Sequence, residues 1–353
     1  MSRIPKPVAI AWALLATTTT LAACGSTANS SDLALASFKP TSSAHVDTST
    51  WGNYTFTIGD NGGDGSEQLA AITGVFKNAP YKVNFAHFTY GPPLVQAAAS
   101  GDIDLGSVGD VPPITGAAKE YGFKIVGVSH HLEPKLAVED IIVPAGSKIT
   151  SVAQLKGKKI AVPQGSSAHG LALLALKQAG LTPSGVQLDF LSPAAGASAF
   201  QSGKVDAWAI WNPQAALAVK AGARIIAAGL PPIDQTSNYY VAPLKDLNDP
   251  NRRAALTDLF QRLAAEFAWA NKHPKQFAQA ISTEDGISVA DATSVLNTYQ
   301  NEIVPVAPSD VTAEQKLASA FVDAGQISKA VTISDIVQNI LPAGFDSSTL
   351  SVK

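Results

Sequence analysis

The 353-residue chain contains one cysteine, Cys24, and only 15% of its residues are charged. A lone cysteine closes no internal disulfide and belongs to no Cys set that could hold zinc or an iron–sulfur cluster. Packing must therefore stabilise the fold, and the 46% hydrophobic content is ample for it. There is no basic surplus: 25 Lys plus Arg stand against 28 Asp plus Glu, a net charge of -3. Nothing is left over to neutralise a phosphate backbone, so nucleic acid is not expected as a partner. Beyond the first two dozen residues no apolar run reaches the length of a membrane helix. Neither a G-x-S-x-G elbow, nor a Walker loop, nor a G-x-G-x-x-G after a strand is present, and the signal for catalysis is weak throughout. The six His residues are dispersed at 45, 87, 130, 131, 169 and 273. Adjacent His130 and His131 at a strand end point to opposite faces, poor geometry for one ion. No metal and no cofactor are expected.

What is present begins with an N-terminal leader. Arg3 and Lys6 precede an apolar run from Val8 to Ala16, a Thr-rich stretch, and Leu21-Ala22-Ala23-Cys24. This is the layout of a secretory signal. Leu-Ala-Ala-Cys resembles the lipobox of bacterial lipoproteins, in which the cysteine is lipidated and becomes the new N-terminus. The resemblance implies a signal peptide over 1–23, lipidation at Cys24, and anchoring to the outer face of a membrane. Removing Arg3 and Lys6 with the leader would make the mature chain more acidic. Residues 24–50, rich in Ser, Thr and Ala, read as a flexible tether.

The body carries an internal repeat. Gly91 to Pro112 can be laid on Pro193 to Gln214 without a gap at an offset of 102 residues, bringing Ser100-Gly101 onto Ser202-Gly203, Asp104 onto Asp206 and Asp110 onto Asn212. The same offset places the strand Val83 to Phe88 on Gly185 to Phe190, and the Gly-rich turn Asn61 to Ser66 on Pro163 to Ala168. Each copy reads as strand, polar turn, amphipathic helix, strand, which predicts two βαβ units with mainly parallel sheets and ligands at the carboxyl ends of the strands. From Leu244 onward the pattern turns helical. Asp249-Pro250 opens a helix to about Lys272, a second covers Ser288 to Gln300, and a third starts at Thr312 and stops at Gly325. These helices are expected to pack on the first lobe. The predicted division is lobe 1 over 51–143 and 241–353 and lobe 2 over 144–240, with crossings near Ile142 to Pro144 and Tyr239 to Ala242.

Candidate ligand contacts follow from the turns. Gly165, Ser166 and Ser167 put two hydroxyls and free backbone N–H groups at the positive end of a helix, where an anion is favoured. One hydroxyl suffices as an N-cap, so the other is the better ligand candidate. Asp110, before Pro112-Pro113, reads as an N-cap whose carboxylate would repel an anion; Ser107 and the Gly109 N–H remain donors. Trp208 shares a strand face with Ile210 and reads as core or cleft wall. Trp211, at the strand exit, is the better contact for an apolar ligand tail.

Three stretches, GDIDLGSVGDVPPI from Gly101, GKKIAVPQGSSAHGLALLALKQAGL from Gly157 and FQSGKVDAWAIWNP from Phe200, resemble the signature segments of aliphatic sulfonate-binding proteins, as does QTSNYY from Gln235. These are substrate receptors of ABC uptake systems. The resemblance implies a type II periplasmic-binding-protein fold, an α/β architecture of two βαβ lobes around a central ligand cleft. It also implies a function: capturing a small organosulfonate and presenting it to a membrane ABC permease as a monomer, without catalysis. Carried over by motif, the ligand segments would include Asn61 and Ser66, Gly91 and Pro92, Ser107, Gly109 and Asp110, Gly165 to Ser167 and His169, and Trp208, Trp211 and Asn212. Two departures stand out, the acidic Asp60 and Asp64 around the first turn and the His130-His131 pair. An acid there would suit a sulfonate that also carries an amine, such as taurine. Alternatives on the same fold are a taurine, nitrate or aromatic-acid receptor, or an enzyme built on the clamp; the desulfinating kind needs a Cys nucleophile that is missing here.

Overall fold

The structure is a computed structural model that describes residues 46–63, 65–231, 233, 237–350 and 352. The leader, Cys24, most of the tether, Asp64 and Gln235 lie outside the described residues. Among the described residues eleven strands are interspersed with helices: β1 (Thr55–Asp60), β2 (Lys82–His87), β3 (Leu105–Val108), β4 (Phe123–His131), β5 (Glu139–Val143), β6 (Lys159–Val162), β7 (Gln187–Phe190), β8 (Ala207–Trp211), β9 (Arg224–Ala228), β10 (Ser237–Pro243) and β11 (Asn301–Val304). They form two sheets, ordered β11-β4-β10-β3-β1-β2 and β7-β6-β8-β5-β9.

The repeat read from the sequence is real in three dimensions. β1 pairs β3 in parallel with Ile58 opposite Leu105, and β6 pairs β8 with Ile160 opposite Ala207, the same pairing 102 residues on. The shared aspartates explain why identities survive there. Asp104 Oδ2 accepts the Thr57 N–H at 2.7 Å, and Asp206 Oδ2 accepts the Lys159 N–H at 2.9 Å. Each aspartate N–H returns to the carbonyl of the same partner at 2.9 Å. A reciprocal staple of this kind fixes strand register in both lobes and satisfies edge groups that a buried sheet cannot leave open. The glycine before each staple, Gly101 and Gly203, takes a left-handed φ of 82° and 67° that favours glycine.

Two expectations change. The sheets are mixed rather than mainly parallel, because the chain enters each sheet from the other lobe and its first strand there runs backwards. β5 is antiparallel to β8 and β9, and β10 is antiparallel to β3 and β4. The lobe boundaries move for the same reason. Glu139–Val143, expected in lobe 1, is a fully buried strand of the smaller sheet, and Ser237–Tyr240, expected in lobe 2, already belongs to the larger one. The chain leaves the larger sheet after His131 and the smaller one after Ala228. β5 and β10 are continuous apolar runs at their centres, so sequence alone does not mark which sheet claims them.

The helix Pro250–Lys272 has the expected bounds, capped by Asp249, whose side chain accepts from Asn251 and Arg252 N–H. Its buried face, with Leu256, Leu259, Phe260, Leu263 and Phe267, packs with Phe56, Ile58 and Leu69 into the lobe 1 core, which the helix Pro274–Asp285 completes through Phe277 and Ile281. The last helix begins at Pro308, not Thr312: Asp310 accepts the Ala307 N–H at 2.8 Å, closing the first turn early. It does not pack on lobe 1 alone. Leu317 and Phe321 meet Val111 and Ile114 of lobe 1 and Leu173 of lobe 2 in a single apolar cluster. Among the described residues no helix is long and apolar enough to cross a membrane.

Candidate functional site

The carboxyl ends of β1, β3 and β8 and the turn after β6 converge on one cleft of about 110 Å³. A buried water needs about 10–15 Å³ on this measure, so the space fits a ligand of several heavy atoms. Of the residues expected at the site, Asn61, Gly91, Ser107, Gly109, Asp110, Ser166, Ser167, Trp211 and Asn212 line it.

Local chemistry explains the turn 163–167. Gly165 takes φ +73°, letting the chain reverse into the helix Ser167–Gln178. Neither serine caps that helix with its side chain, contrary to expectation. Ser166 is buried and its Oγ donates to the Pro163 carbonyl at 2.7 Å. Ser167 is the hydroxyl that lies across from the other lobe: a Cβ at Gly109 would sit 2.9 Å from Ser167 Cβ and 3.1 Å from its Oγ. His169 does not reach the cleft. It lies under the turn, edge-on to Phe190 and Phe321, with Nδ1 accepting the Gly165 N–H at 3.3 Å. Burial pushes its pKa down to about 4, so it is neutral at ordinary pH.

Four other expected residues are also displaced. Ser66 is buried in the first turn of the helix Ser66–Thr73. Pro92 and Gly165 line a separate cavity behind the cleft with Pro93 and His169. Trp208 is core, its ring 5.7 Å from that of Phe200. Phe267, Tyr299 and Pro112 join Trp211 as the apolar lining of the cleft. Asp110 precedes the helix Val111–Ala118 without capping it through its side chain.

Sequence reasoning missed the contribution of β4, β5, β10 and the segment 298–301: Ser129, His131, Glu139, Asn238, Tyr240 and Thr298 also line the cleft. The likeness of QTSNYY was a pointer to Asn238 and Tyr240; Thr298 carried none. Asn212 bridges the lobes, its Nδ2 3.4 Å from Thr298 Oγ1 and its Oδ1 accepting the Ala216 N–H at 3.2 Å. The two histidines do point apart. His130 pairs with Asp310 at 3.0 Å, whereas His131 faces the cleft, where burial and His130 push its pKa down to about 4.

Electrostatically the cleft offers dipoles rather than positive side chains. Among the described residues lining it none is Lys or Arg, while the helices Gly91–Ser100, Val111–Ala118 and Ser167–Gln178 all start at its wall. Their first N–H groups lack intrahelical acceptors and carry partial positive charge. Opposing this, Asp110 and Glu139 place carboxylates at the wall. Behind Asp110 lies Glu314, wholly buried, whose carboxyl is pushed well above its ordinary range first by burial and then by Asp110; the Tyr239 hydroxyl bonds to it. For a metal, the residues whose ligand atoms come together are Asp60, His87 and Glu284, just outside the cleft.

The profile of one family, described as NMT1/THI5 like, matches residues 69–326. The chain belongs to the NMT1/THI5-like family. Relatives within reach of it are named for binding rather than catalysis. A Bacillus subtilis (strain 168) protein named for binding aliphatic sulfonates is 31% identical over 268 residues, 75% of this chain and 78% of that protein. An Escherichia coli (strain K12) protein of the same name is 43% identical over 162 residues, 46% of this chain and half of that protein's length. The alkanesulfonate-binding protein SsuA of Xanthomonas axonopodis pv. citri, solved with MOPS bound, superposes with a TM-score of 0.75 at 28% identity, covering 84% of this chain and 100% of that one. The NMT1/THI5-like chain described here therefore has the two-lobed periplasmic-binding-protein fold of these receptors.

Proposed function

We propose that this protein is the extracytoplasmic receptor of an ABC import system and that it captures an aliphatic sulfonate for delivery to a membrane permease. The observation that carries the reading is the pairing, in one cleft, of three helix N-termini and serine hydroxyls without Lys or Arg, and an aromatic wall of Trp211, Phe267 and Tyr299. The first group suits a monoanionic head with several oxygens; the second suits an apolar tail. Nitrate or sulfate needs no such wall. The names of the relatives support the same substrate class. No step of bond making is part of the reading. A second reading is favoured by Asp110 and Glu139, whose carboxylates would pair with an amine on the ligand, as in taurine.

Calorimetric titration with methane-, propane- and hexanesulfonate, taurine, nitrate and acetate tests both. The expected outcome is tighter binding of sulfonates than of nitrate or acetate, with each methylene tightening affinity by up to about fourfold until the wall is covered. In Trp211→Ala that chain-length dependence flattens. Taurine binding above all alkanesulfonates would select the second reading, and nitrate or acetate binding best would sink both.

Delivery to a permease fits a tethered monomer, held by lipid on Cys24 at the outer face of the membrane. Labelled palmitate should enter the wild type and not Cys24→Ser; equal labelling would remove the anchor from the proposal.

A further inference from the structure

At the end of β1, just outside the cleft, parallel register sets Asp60 directly beside His87 of β2. The helix Pro274–Asp285 brings its last turn over the same point. The ligand atoms of Asp60, His87 and Glu284 all lie within 4.8 Å of one another. We propose that these three residues form a site for a divalent transition-metal ion, behind the loop that walls the ligand cleft.

Two independent observations carry this. Asp60 is only 3% exposed, and although its Oδ1 accepts the Gly62 N–H at 2.9 Å, no donor reaches Oδ2. The side chain facing it is another carboxylate, Glu284, which cannot donate to it unless a proton or a cation lies between them. A buried, unsatisfied carboxylate oxygen is costly, and a cation removes that cost. The second observation is the donor set itself: one imidazole and two carboxylates from three separate elements, with Glu67 2.7 Å from His87 Nε2 adding a further carboxylate beside the ring. Imidazole with carboxylates suits zinc and its first-row neighbours more than calcium or magnesium, which take oxygen alone. Donors around zinc sit about 2.0–2.2 Å from the ion, so the present spacing must contract. His87 and Glu284 are not buried and can move to close it.

The electrostatics agree. Glu284 and Asp285 end a helix, where its dipole is negative and a cation is favoured. The loop ties this point to the cleft: Gly62 donates to Asp60, Gly63 donates to Asp285, and Asn61 and Gly62 line the ligand cavity. An ion here would fix the ends of β1 and β2 against the helix and hold that wall in place.

The test is titration of EDTA-treated full-length protein with Zn²⁺, Mn²⁺ and Ca²⁺ by calorimetry, with Co²⁺ absorption as a readout of coordination. One zinc per chain is expected, with calcium at least tenfold weaker. His87→Ala and Asp60→Asn should each weaken zinc at least tenfold while melting cooperatively. His87 is half-exposed at a strand end, so its variant stays informative if Asp60→Asn does not fold. Absence of zinc binding by the folded wild type, or equal binding by a folded His87→Ala, overturns the site. Sulfonate titrations of the EDTA-treated protein keep this result separate from the receptor reading.

Discussion

His169 shows how a single side chain can matter to a site without touching it. Its Nδ1 accepts the Gly165 N–H, which an imidazolium cannot do, and it is 2% exposed between two phenylalanines. Its folded pKa of about 4 lies below the unfolded 6.5. Between these values the unfolded chain binds the proton and the folded chain does not. Stability from this group is thus full above pH 6.5 and is lost as pH falls towards 4, by about 3 kcal/mol in all. His131, pushed to about 4 as well, acts with the same sign. In His169→Gln, denaturant titrations at pH 4 and pH 7 should differ by about 2–3 kcal/mol less than in the wild type. An unchanged difference would show that His169 is not the group that titrates. His169 was expected among the ligand contacts by the motif of the resembled family; at 3.6 residues per turn it is carried to the inner side of the helix instead.

The strand–turn–helix element is where the sequence was most legible. Capping residues, Gly-rich turns and the repeat marked the strand ends, and the turns Asn61–Gly62, Ser107–Asp110 and Ser166–Ser167 do meet at the cleft. Aspartates 104 and 206 were visible as identities, and their staples show the reason, since each fixes the register on which the position of the following turn depends. What escaped was any element whose place depends on a distant partner. β5 and β10 read as crossings but act as antiparallel strands, and β11 lies just past Gln300, where the preceding helix was expected to end, in a stretch given no strand. Their apolar runs are short, and a short run does not specify which sheet it joins.

At the scale of the whole molecule the two lobes come close where Gly109 faces Ser167. A Cβ at 109 would meet Ser167 at 2.9 Å, below any normal contact. Because φ at Gly109 is not left-handed, alanine should cost little within lobe 1 and act on the approach of lobe 2. Gly109→Ala is expected to weaken ligand affinity at least tenfold, measured by calorimetry, with a melting temperature near that of the wild type. Wild-type affinity would mean that closure leaves room for a methyl group there. The apolar cluster of Leu317 and Phe321 with Ile114 and Leu173 lies on both lobes.

By itself the sequence determined the α/β class, the duplicated unit, the strand ends that make the cleft and the family resemblance, because those features rest on local periodicity, turn chemistry and short motifs. Tertiary structure alone decided the lobe boundaries, the aromatic wall of Phe267 and Tyr299 opposite Trp211, the bridge from Asn212 to Thr298, and the meeting of Asp60, His87 and Glu284. Each of these joins residues tens to hundreds of positions apart. Which of them meet is fixed by sheet order and helix docking, which depend on burial summed over the entire chain and leave no local mark on the residues they bring together.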